Sequence, residues 1–225
     1  MRIAVVSDIH SNLQALTAVT DAIREERVDI VVFCGDLVGY GANPNECCEV
    51  LRNLAAHSVI GNHDVSALTR DTSWMNPYAA EAVLWTAGVL SGSSKDFLKS
   101  LKMEGRFTKA GTTCVMFHGS PHSVTEYLYE EDVNQGMLAK ARADVLIFGH
   151  THVPYVRRFG AGIILNPGSV GQPRDGNPKA SYAILESEKP HCDIRRVDYD
   201  VETAANAILS AGLPGSLAER LFQGR

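Results

Sequence analysis

The sequence predicts an α/β protein with buried parallel strands, and two observations support this fold class. Five short apolar runs occupy residues 3–6, 30–34, 58–60, 113–117 and 144–148. Runs of this length that are rich in β-branched residues are typical of strands buried on both faces. Segments with helical spacing separate the first three runs, as expected for crossover connections between parallel strands.

Each run stops at a polar residue that can carry chemistry. The carboxyl ends of parallel strands meet at one edge of a sheet, where α/β proteins bind ligands. We therefore expect all five ends to converge at one edge. The polar residues there are Asp8, His10, Asp36, Asn62, His63, Asp64, His118, His150 and His152.

The first half of the chain contains two predicted helices and a helical insert. Ser11 is expected to cap a helix that ends near Glu26, and Asn43-Pro44 to start one that ends near His57. Residues 65–104 lack a strand signal. They are predicted to form a helical insert, with helices at residues 77–90 and after Ser94, that serves as a wall over the site.

From Arg106 onward the pattern changes to β. We predict one domain over residues 1–225, because no repeat, linker or low-complexity segment interrupts the chain. The predicted elements are hairpins at 106–117 and around 158–162, a helix at 130–141, strands at 180–186 and 192–199, and helices from about 201 and 214.

Composition restricts the function and the compartment. The net charge of −5 and the lack of a Lys/Arg run argue against a nucleic-acid partner. Five scattered cysteines favour free thiols in a reducing cytoplasm. No apolar stretch is long enough to cross a bilayer, so no membrane partner is expected. Bound cations would still make a site locally positive, so small phosphorylated substrates are not excluded as partners.

Seven of the strand-end residues have the chemistry of metal ligands. Carboxylate, amide oxygen and imidazole suit Mn²⁺, Fe²⁺ or Zn²⁺, and seven ligands suit two ions that share a carboxylate, for which Asp36 is the natural bridge. On extended segments, residues two apart project to the same side. The seven are Asp8, His10, Asp36, Asn62, His118, His150 and His152.

The five motifs, taken together and in order, resemble those of the calcineurin-like metallophosphoesterases, over residues 3–186. They are Asp8-x-His10, Gly35-Asp36, Gly61-Asn62-His63-Asp64, His118-Gly119 and Gly149-His150-Thr151-His152. The resemblance implies a four-layer αββα sandwich of two mixed sheets. It also implies one ion on Asp8, His10, Asp36 and His152, and a second on Asp36, Asn62, His118 and His150.

The resemblance further implies a small stand-alone phosphoesterase for phosphate mono- or diesters. A hydroxide that bridges two divalent ions would attack phosphorus, with Mn²⁺ the ion expected to support activity in assays. His63 would sit over the substrate phosphate as a catalytic residue, and Asp64 would orient it and fix its tautomer.

Alternatives remain open at this point. Within the family, these are a dinucleoside polyphosphate hydrolase and a phosphoprotein phosphatase. A non-catalytic scaffold such as the retromer subunit is disfavoured because His63 and all seven ligands are present. An amidohydrolase would normally need an N-terminal His-x-His and a longer chain. The sequence also leaves homo-oligomerisation open.

Few candidates lie outside the motifs. Arg174 lies in a loop rich in Gly and Pro and could reach a second phosphate through its guanidinium group. Asn12 is a weaker candidate for substrate binding, as is Tyr40. We expect His122 and His191 to be structural.

Overall fold

A computed structural model describes residues 1–188 and 191–225. The strands are β1 (Arg2–Val6), β2 (Ile30–Cys34), β3 (Ala55–Val59), β4 (Glu104–Lys109), β5 (Thr112–Phe117), β6 (Val145–Ile147), β7 (Tyr155–Phe159), β8 (Gly162–Asn166), β9 (Ala180–Glu186) and β10 (His191–Val197). The helices are α1 (Leu13–Glu25), α2 (Pro44–Leu54), α3 (Asn62–Thr69), α4 (Pro77–Val89), α5 (Gly92–Ser100), α6 (Gln135–Ala141), α7 (Val201–Ser210) and α8 (Gly215–Gln223).

The strands form two mixed five-stranded sheets, in the orders β10-β9-β1-β2-β3 and β4-β5-β6-β8-β7. Parallel pairs join β1, β2 and β3 in the first sheet and β5, β6 and β8 in the second. The expectation that all five strand ends share one edge was therefore wrong. Two edges supply them, and they meet where the His150 N–H donates to Asp8 Oδ2 over 3.1 Å.

Alternation along the strands sorts apolar side chains into layers. Ile3 and Val5 pack against the second sheet, whereas Ala4 and Val6 belong to the core beneath the helices of the first sheet. On the far side, Leu138 of α6 packs in the cluster that covers the outer face of the second sheet. These layers confirm the predicted αββα sandwich.

Two local predictions in the first half need correction. Asn12 caps α1, since its Oδ1 accepts the N–H of Ala15 over 3.0 Å, so the cap is one residue later than the predicted Ser11. Helix α2 ends at Leu54 and β3 follows directly. His57 is therefore a strand residue, with its ring stacked on Phe107 at 4.4 Å.

The remaining elements follow the prediction more closely. Both helices of the insert are present, although Ser91 and not Ser94 caps the second. The helix predicted at 130–141 begins only at Gln135, where Asn134 supplies the cap. Helices α7 and α8 pack beside α4 and Tyr40 in a cluster of their own.

Two further expectations concern membranes and cysteines. In residues 1–188 and 191–225, no helix is long and apolar enough to cross a membrane. All five cysteines are buried and unbridged, which agrees with the predicted free thiols.

Candidate metal centre

The strand ends turn sharply before they present their polar side chains. Gly35 has a φ of 89°, and a Cβ there would come 2.5 Å from His118 Nδ1. We had predicted extended strand ends, but five predicted ligands adopt the left-handed conformation instead. This conformation costs a residue with a side chain ~1–3 kcal/mol. Their φ angles are 53° (Asp8), 49° (His10), 58° (Asp36), 66° (His150) and 59° (His152).

One group of predicted ligands consists of Asp8, His10 and His152. His152 Nε2 lies 3.2 Å from Asp8 Oδ1 and 3.1 Å from His10 Nε2. All three side chains are buried, and their candidate ligand atoms lie within 4.8 Å of one another. Three donors at this spacing can share one ion.

A second group consists of Asp36, His118 and His150, also buried and with ligand atoms within 4.8 Å of one another. His118 Nε2 lies 3.3 Å from Asp36 Oδ2 and 2.9 Å from Asn62 Oδ1. Asp36 Oδ2 is also 3.6 Å from His10 Nε2 in the first group. Asp36 therefore lies between the two groups.

Main-chain carbonyls determine which ring nitrogen faces each group. His10 Nδ1 lies 3.1 Å from the carbonyl of Val38, and His118 Nδ1 lies 2.8 Å from that of Cys34. Because a carbonyl only accepts, these nitrogens carry the proton in the neutral rings, and each Nε2 turns a lone pair inward. His152 Nδ1 and His150 Nε2 bond the carbonyls of Gln172 and Thr125 in the same way. Such contacts commonly orient metal-bound histidines.

The inward-facing atoms are acceptors that lack donors. Asp8 Oδ1 is buried and has no hydrogen-bond partner within the described part of the chain. With the neutral tautomers above, His10 and His152 present two lone pairs to each other. A cation between these atoms would satisfy them. The donor set of carboxylate, amide and imidazole therefore fits divalent Mn, Fe or Zn.

Charge and burial act strongly on the side chains here. Burial opposes protonation of His118, but the Asp36 carboxylate outweighs it and raises the pKa of His118 to about 9. Burial lowers the pKa of His150 to about 3 and that of His63 to about 4. The carboxylates therefore make the centre attractive to positive charge, while most of its histidines stay neutral.

His63 starts the first turn of α3 together with Asn62. These two neighbouring residues are therefore helical and not extended. The His63 ring lies 4.8 Å from that of His10 and 4.5 Å from that of Tyr40. Its Nδ1 is buried and unpartnered in the described residues, and its imidazole lies within reach of His10 and Asp36 as a third candidate group.

We had predicted that Asp64 orients His63, but the hydrogen bonds of its carboxylate go to main-chain N–H groups. Its Oδ1 accepts the N–H groups of Leu37 and Val38 at 2.9 and 3.0 Å, and its Oδ2 accepts those of Asp36 and Gly61 at 3.1 and 3.0 Å. The carboxylate thus ties the turn after β2 to the start of α3. It positions Asp36 and fixes no tautomer of His63.

The two predicted substrate contacts fare differently. Asn12 is buried, and its amide caps α1 and donates to the carbonyl of Gly171 over 2.9 Å. Both ends of that amide are engaged within the fold, and a contact of Asn12 with substrate stays a prediction. Arg174 lines the cavity at the centre together with His152, and its Nη2 donates to the Tyr40 hydroxyl over 3.3 Å.

The cavity over the centre measures about 330 Å³, and part of the insert forms its wall. Trp74, 46% exposed, lines it on the insert side. Tyr127 stacks on His150 at 4.1 Å. Sequence reasoning missed Tyr127, because it lies in an irregular loop nine residues after His118 with no motif around it.

Known proteins resemble this chain over most of its length. The calcineurin-like phosphoesterase superfamily domain matches residues 1–190. An uncharacterized protein of Methanocaldococcus jannaschii is 39% identical over 99% of this chain and 98% of its own. The phosphodiesterase YfcE of Escherichia coli is 28% identical over 84% of this chain and 89% of its own.

Solved structures agree with these matches. The metallophosphoesterase from Sphaerobacter thermophilus is 37% identical, with a TM-score of 0.85 over 100% of this chain and 99% of that one. A hypothetical protein from Pyrococcus horikoshii has a TM-score of 0.90 at 20% identity, over 100% and 98% of the two chains, and supports the fold alone.

Proposed function

Because the chain belongs to the calcineurin-like phosphoesterase superfamily, we propose that it is a hydrolase of phosphate mono- or diesters that uses two divalent metal ions. The observation that carries the proposal is the pair of buried ligand groups joined through Asp36. Relatives named as phosphodiesterases support the diester alternative. A small phosphorylated molecule is the partner that we propose.

Residues of this chain would divide between two ions. Asp8, His10 and His152 would hold one, and Asn62, His118 and His150 the other, with Asp36 shared. When bound, such ions supply an activated water for attack at phosphorus and neutralise charge on the phosphoryl oxygens. The protein contributes the fixed orientation of the rings through the carbonyl contacts of His10, His118, His150 and His152.

His63 would donate a proton or a hydrogen bond to the substrate. Burial lowers the pKa of free His63 to about 4, so proton donation requires that the negative charge of a bound phosphate raise this pKa. It lines the cavity beside Asp36, and its main-chain N–H donates to Asp36 Oδ1 over 2.8 Å. Its Nδ1 is buried beside Gly39 and makes no hydrogen bond in the described residues, so a substrate would meet the ring through Nε2. Protonation of the leaving oxygen by such a group is typically worth ~10²–10⁴-fold in rate.

The test is reconstitution of metal-free protein with Mn²⁺, Zn²⁺ or Fe²⁺, followed by assays with p-nitrophenyl phosphate and bis(p-nitrophenyl) phosphate. The proposal expects hydrolysis of at least one ester that depends on the added metal and is lost with EDTA. His57→Ala removes a histidine that stacks on Phe107 outside the centre. It should keep the metal-dependent hydrolysis and so controls for the loss of a histidine elsewhere. Hydrolysis that is absent with every metal, in protein shown to be folded, would contradict the proposal.

A further inference from the structure

Tyr127 covers His150, which belongs to the second ligand group together with Asp36 and His118. The ring centroids of Tyr127 and His150 lie 4.1 Å apart at an interplanar angle of 30°. The His118 ring meets the same imidazole at 5.1 Å and a steep angle of 63°. His150 is only 5% exposed, whereas Tyr127 is 47% exposed. The tyrosine ring therefore shields the imidazole from solvent.

Thr125, two residues before Tyr127, holds the edge of the same imidazole. His150 Nε2 lies 3.1 Å from the Thr125 carbonyl, so the neutral ring carries its proton on Nε2 and can bind a metal ion through Nδ1. A hydrogen bond at one edge still lets the ring tilt about that point. A stacked aromatic face restricts the tilt. Thr125 and Tyr127 together therefore determine where His150 Nδ1 points.

Both contacts come from residues 118–128, an irregular segment that we call the 118–128 loop. Near its start, the Ser120 N–H donates to the carbonyl of Ser123 over 2.8 Å. At its end, the Tyr155 hydroxyl donates to the carbonyl of Leu128 over 3.1 Å. The carbonyl and the ring that hold the imidazole lie between these two anchors. The loop is thus fixed at both ends and exposed in the middle.

The first ligand group, Asp8, His10 and His152, is held differently. The carbonyls that orient its two histidines belong to buried residues. His150 depends instead on the exposed middle of the 118–128 loop. Exposed irregular segments with few buried contacts open more readily than the core does. The two ligand groups should therefore differ in how strongly they depend on a surface aromatic ring.

We propose that Tyr127 is a positioning residue for His150, and that its ring keeps His150 Nδ1 directed at the ion of the second ligand group. The inference rests on the proposed function, because that function takes both groups to hold ions. Loss of the Tyr127 ring would weaken binding of the second ion and spare the first. The role belongs to the aromatic face, since it is the face that contacts the imidazole.

Calorimetric titration of metal-free protein with Mn²⁺ tests this role. Wild type should bind two ions. Tyr127→Ala should bind one ion with unchanged affinity and the other ~10–100-fold more weakly, the usual effect of losing a group that orients a metal-bound histidine. Anomalous scattering from crystals of Mn²⁺-loaded Tyr127→Ala should place the retained ion at the first ligand group.

Two further variants separate the ring from general effects of substitution. Tyr127→Phe should bind both ions as wild type does, because it keeps the stacked face and loses only the hydroxyl. Tyr78→Ala is the matched control, since Tyr78 is an exposed tyrosine that does not line the cavity. Melting curves check that Tyr127→Ala is folded, and Tyr127→Leu repeats the test with a larger side chain that lacks a planar face.

Nuclear magnetic resonance of the histidine rings gives a readout without metal or substrate. Long-range ¹H–¹⁵N spectra of metal-free protein should show His150 as a single tautomer with the proton on Nε2, in wild type and in Tyr127→Phe. Tyr127→Ala should give a mixture of tautomers. The His150 signals are assigned by comparison with His150→Ala.

Unchanged binding of both ions by Tyr127→Ala would overturn the proposal, as would a single His150 tautomer in that variant or a Tyr127→Phe variant that fails to restore affinity. Wild type that binds no Mn²⁺ would also overturn it. Release of p-nitrophenolate from the two nitrophenyl esters reports on the proposed function separately. Selective loss of the second ion from Tyr127→Ala, without hydrolysis by wild type, would reject the hydrolase and leave the role of Tyr127 supported.

Discussion

The Nε2 atoms of His10 and His152 face each other at 3.1 Å, although each ring bonds a main-chain carbonyl through its Nδ1. In the neutral rings, both facing nitrogens are acceptors, and no proton lies between them. Two lone pairs at this distance repel each other, and a cation that binds both nitrogens would remove this repulsion. Asp8 Oδ1, 3.2 Å from His152 Nε2, is a third atom at the same point that can bind a metal ion.

Replacement of His63 by alanine should leave both metal ions bound and slow turnover. His63 is expected to protonate the leaving oxygen. The loss in kcat should therefore be ~10²–10⁴-fold for alkyl esters, whose leaving group needs a proton. It should be smaller for p-nitrophenyl esters, whose phenolate leaves unaided. The measurements are kcat across a series of leaving groups and metal content by elemental analysis.

A uniform loss across that series would indicate instead that His63 stabilises charge on the phosphoryl oxygens. Loss of a metal ion from His63→Ala would contradict its assignment as a non-ligand. The geometry allows His63 to be a metal ligand, because His63, His10 and Asp36 form a group that could hold an ion.

Asp64→Asn should lower stability and weaken metal binding without any contact to substrate. The carboxylate accepts four main-chain N–H groups, and an amide can offer one oxygen at most while it brings an NH₂ towards other donors. We expect a loss of about 3 kcal/mol in the free energy of unfolding. Urea denaturation measures this loss, and an unchanged midpoint would show that these hydrogen bonds contribute little to the free energy of unfolding.

Trp74→Ala should change substrate preference more than catalysis. Trp74 lines the cavity from the insert, where it can pack on a bulky ester group. We expect a rise of about fivefold in KM for the p-nitrophenyl ester of thymidine 5′-phosphate, equivalent to ~1 kcal/mol of aromatic contact. KM for p-nitrophenyl phosphate should change less. Tyr78→Ala is the control, as an exposed aromatic residue of the same region that does not line the cavity; equal effects of both variants would contradict a wall at Trp74.

Glu26 provides a prediction about pH that is independent of metal. Burial opposes its ionisation, but hydrogen bonds from Arg195 (3.0 Å) and Arg2 (2.5 Å) outweigh this and lower the pKa of Glu26 below 4.5. A depressed carboxyl pKa stabilises the fold above the unfolded value, and this contribution is lost as the pH falls through the folded value.

Glu26→Gln should therefore cost about 1 kcal/mol of unfolding free energy at pH 7 and progressively less towards pH 3. Urea titrations at several pH values measure the difference. Glu25→Gln, at an exposed neighbouring position, should show no such trend. A cost for Glu26→Gln that does not vary with pH would rule out the ion pairs as its cause.

The residues of the centre could be predicted from the sequence because each follows a short buried strand. Asp36 after β2 and His118 after β5 are examples, since apolar runs locate the strand ends and the polar residues stand directly behind them. The division of the strands between two sheets could not be deduced from those runs alone. An apolar run carries no information on its neighbour, and the resemblance to a known family supplied that part.

Conformation at the strand ends was beyond sequence reasoning. His10 and His152 have positive φ angles, which neither residue adopts by preference, and contacts from distant parts of the chain maintain them. The Asp8 N–H donates to the carbonyl of Gly35, and the His10 N–H to that of Asp36. The role of Asp64 was missed for a similar reason, because its four partners lie on two segments whose approach depends on the complete fold.

The central claim is that Asp36 joins two metal ions, and anomalous scattering from crystals of metal-loaded wild type, with elemental analysis of Asp36→Ala, tests it most directly. Asp36 Oδ2 lies between His10 Nε2 and His118 Nε2, at 3.6 and 3.3 Å. We therefore predict two adjacent ions in wild type, both bound to Asp36, and loss of both from Asp36→Ala, while His57→Ala keeps them. A single ion in wild type, or an Asp36→Ala protein that retains both, would contradict the account.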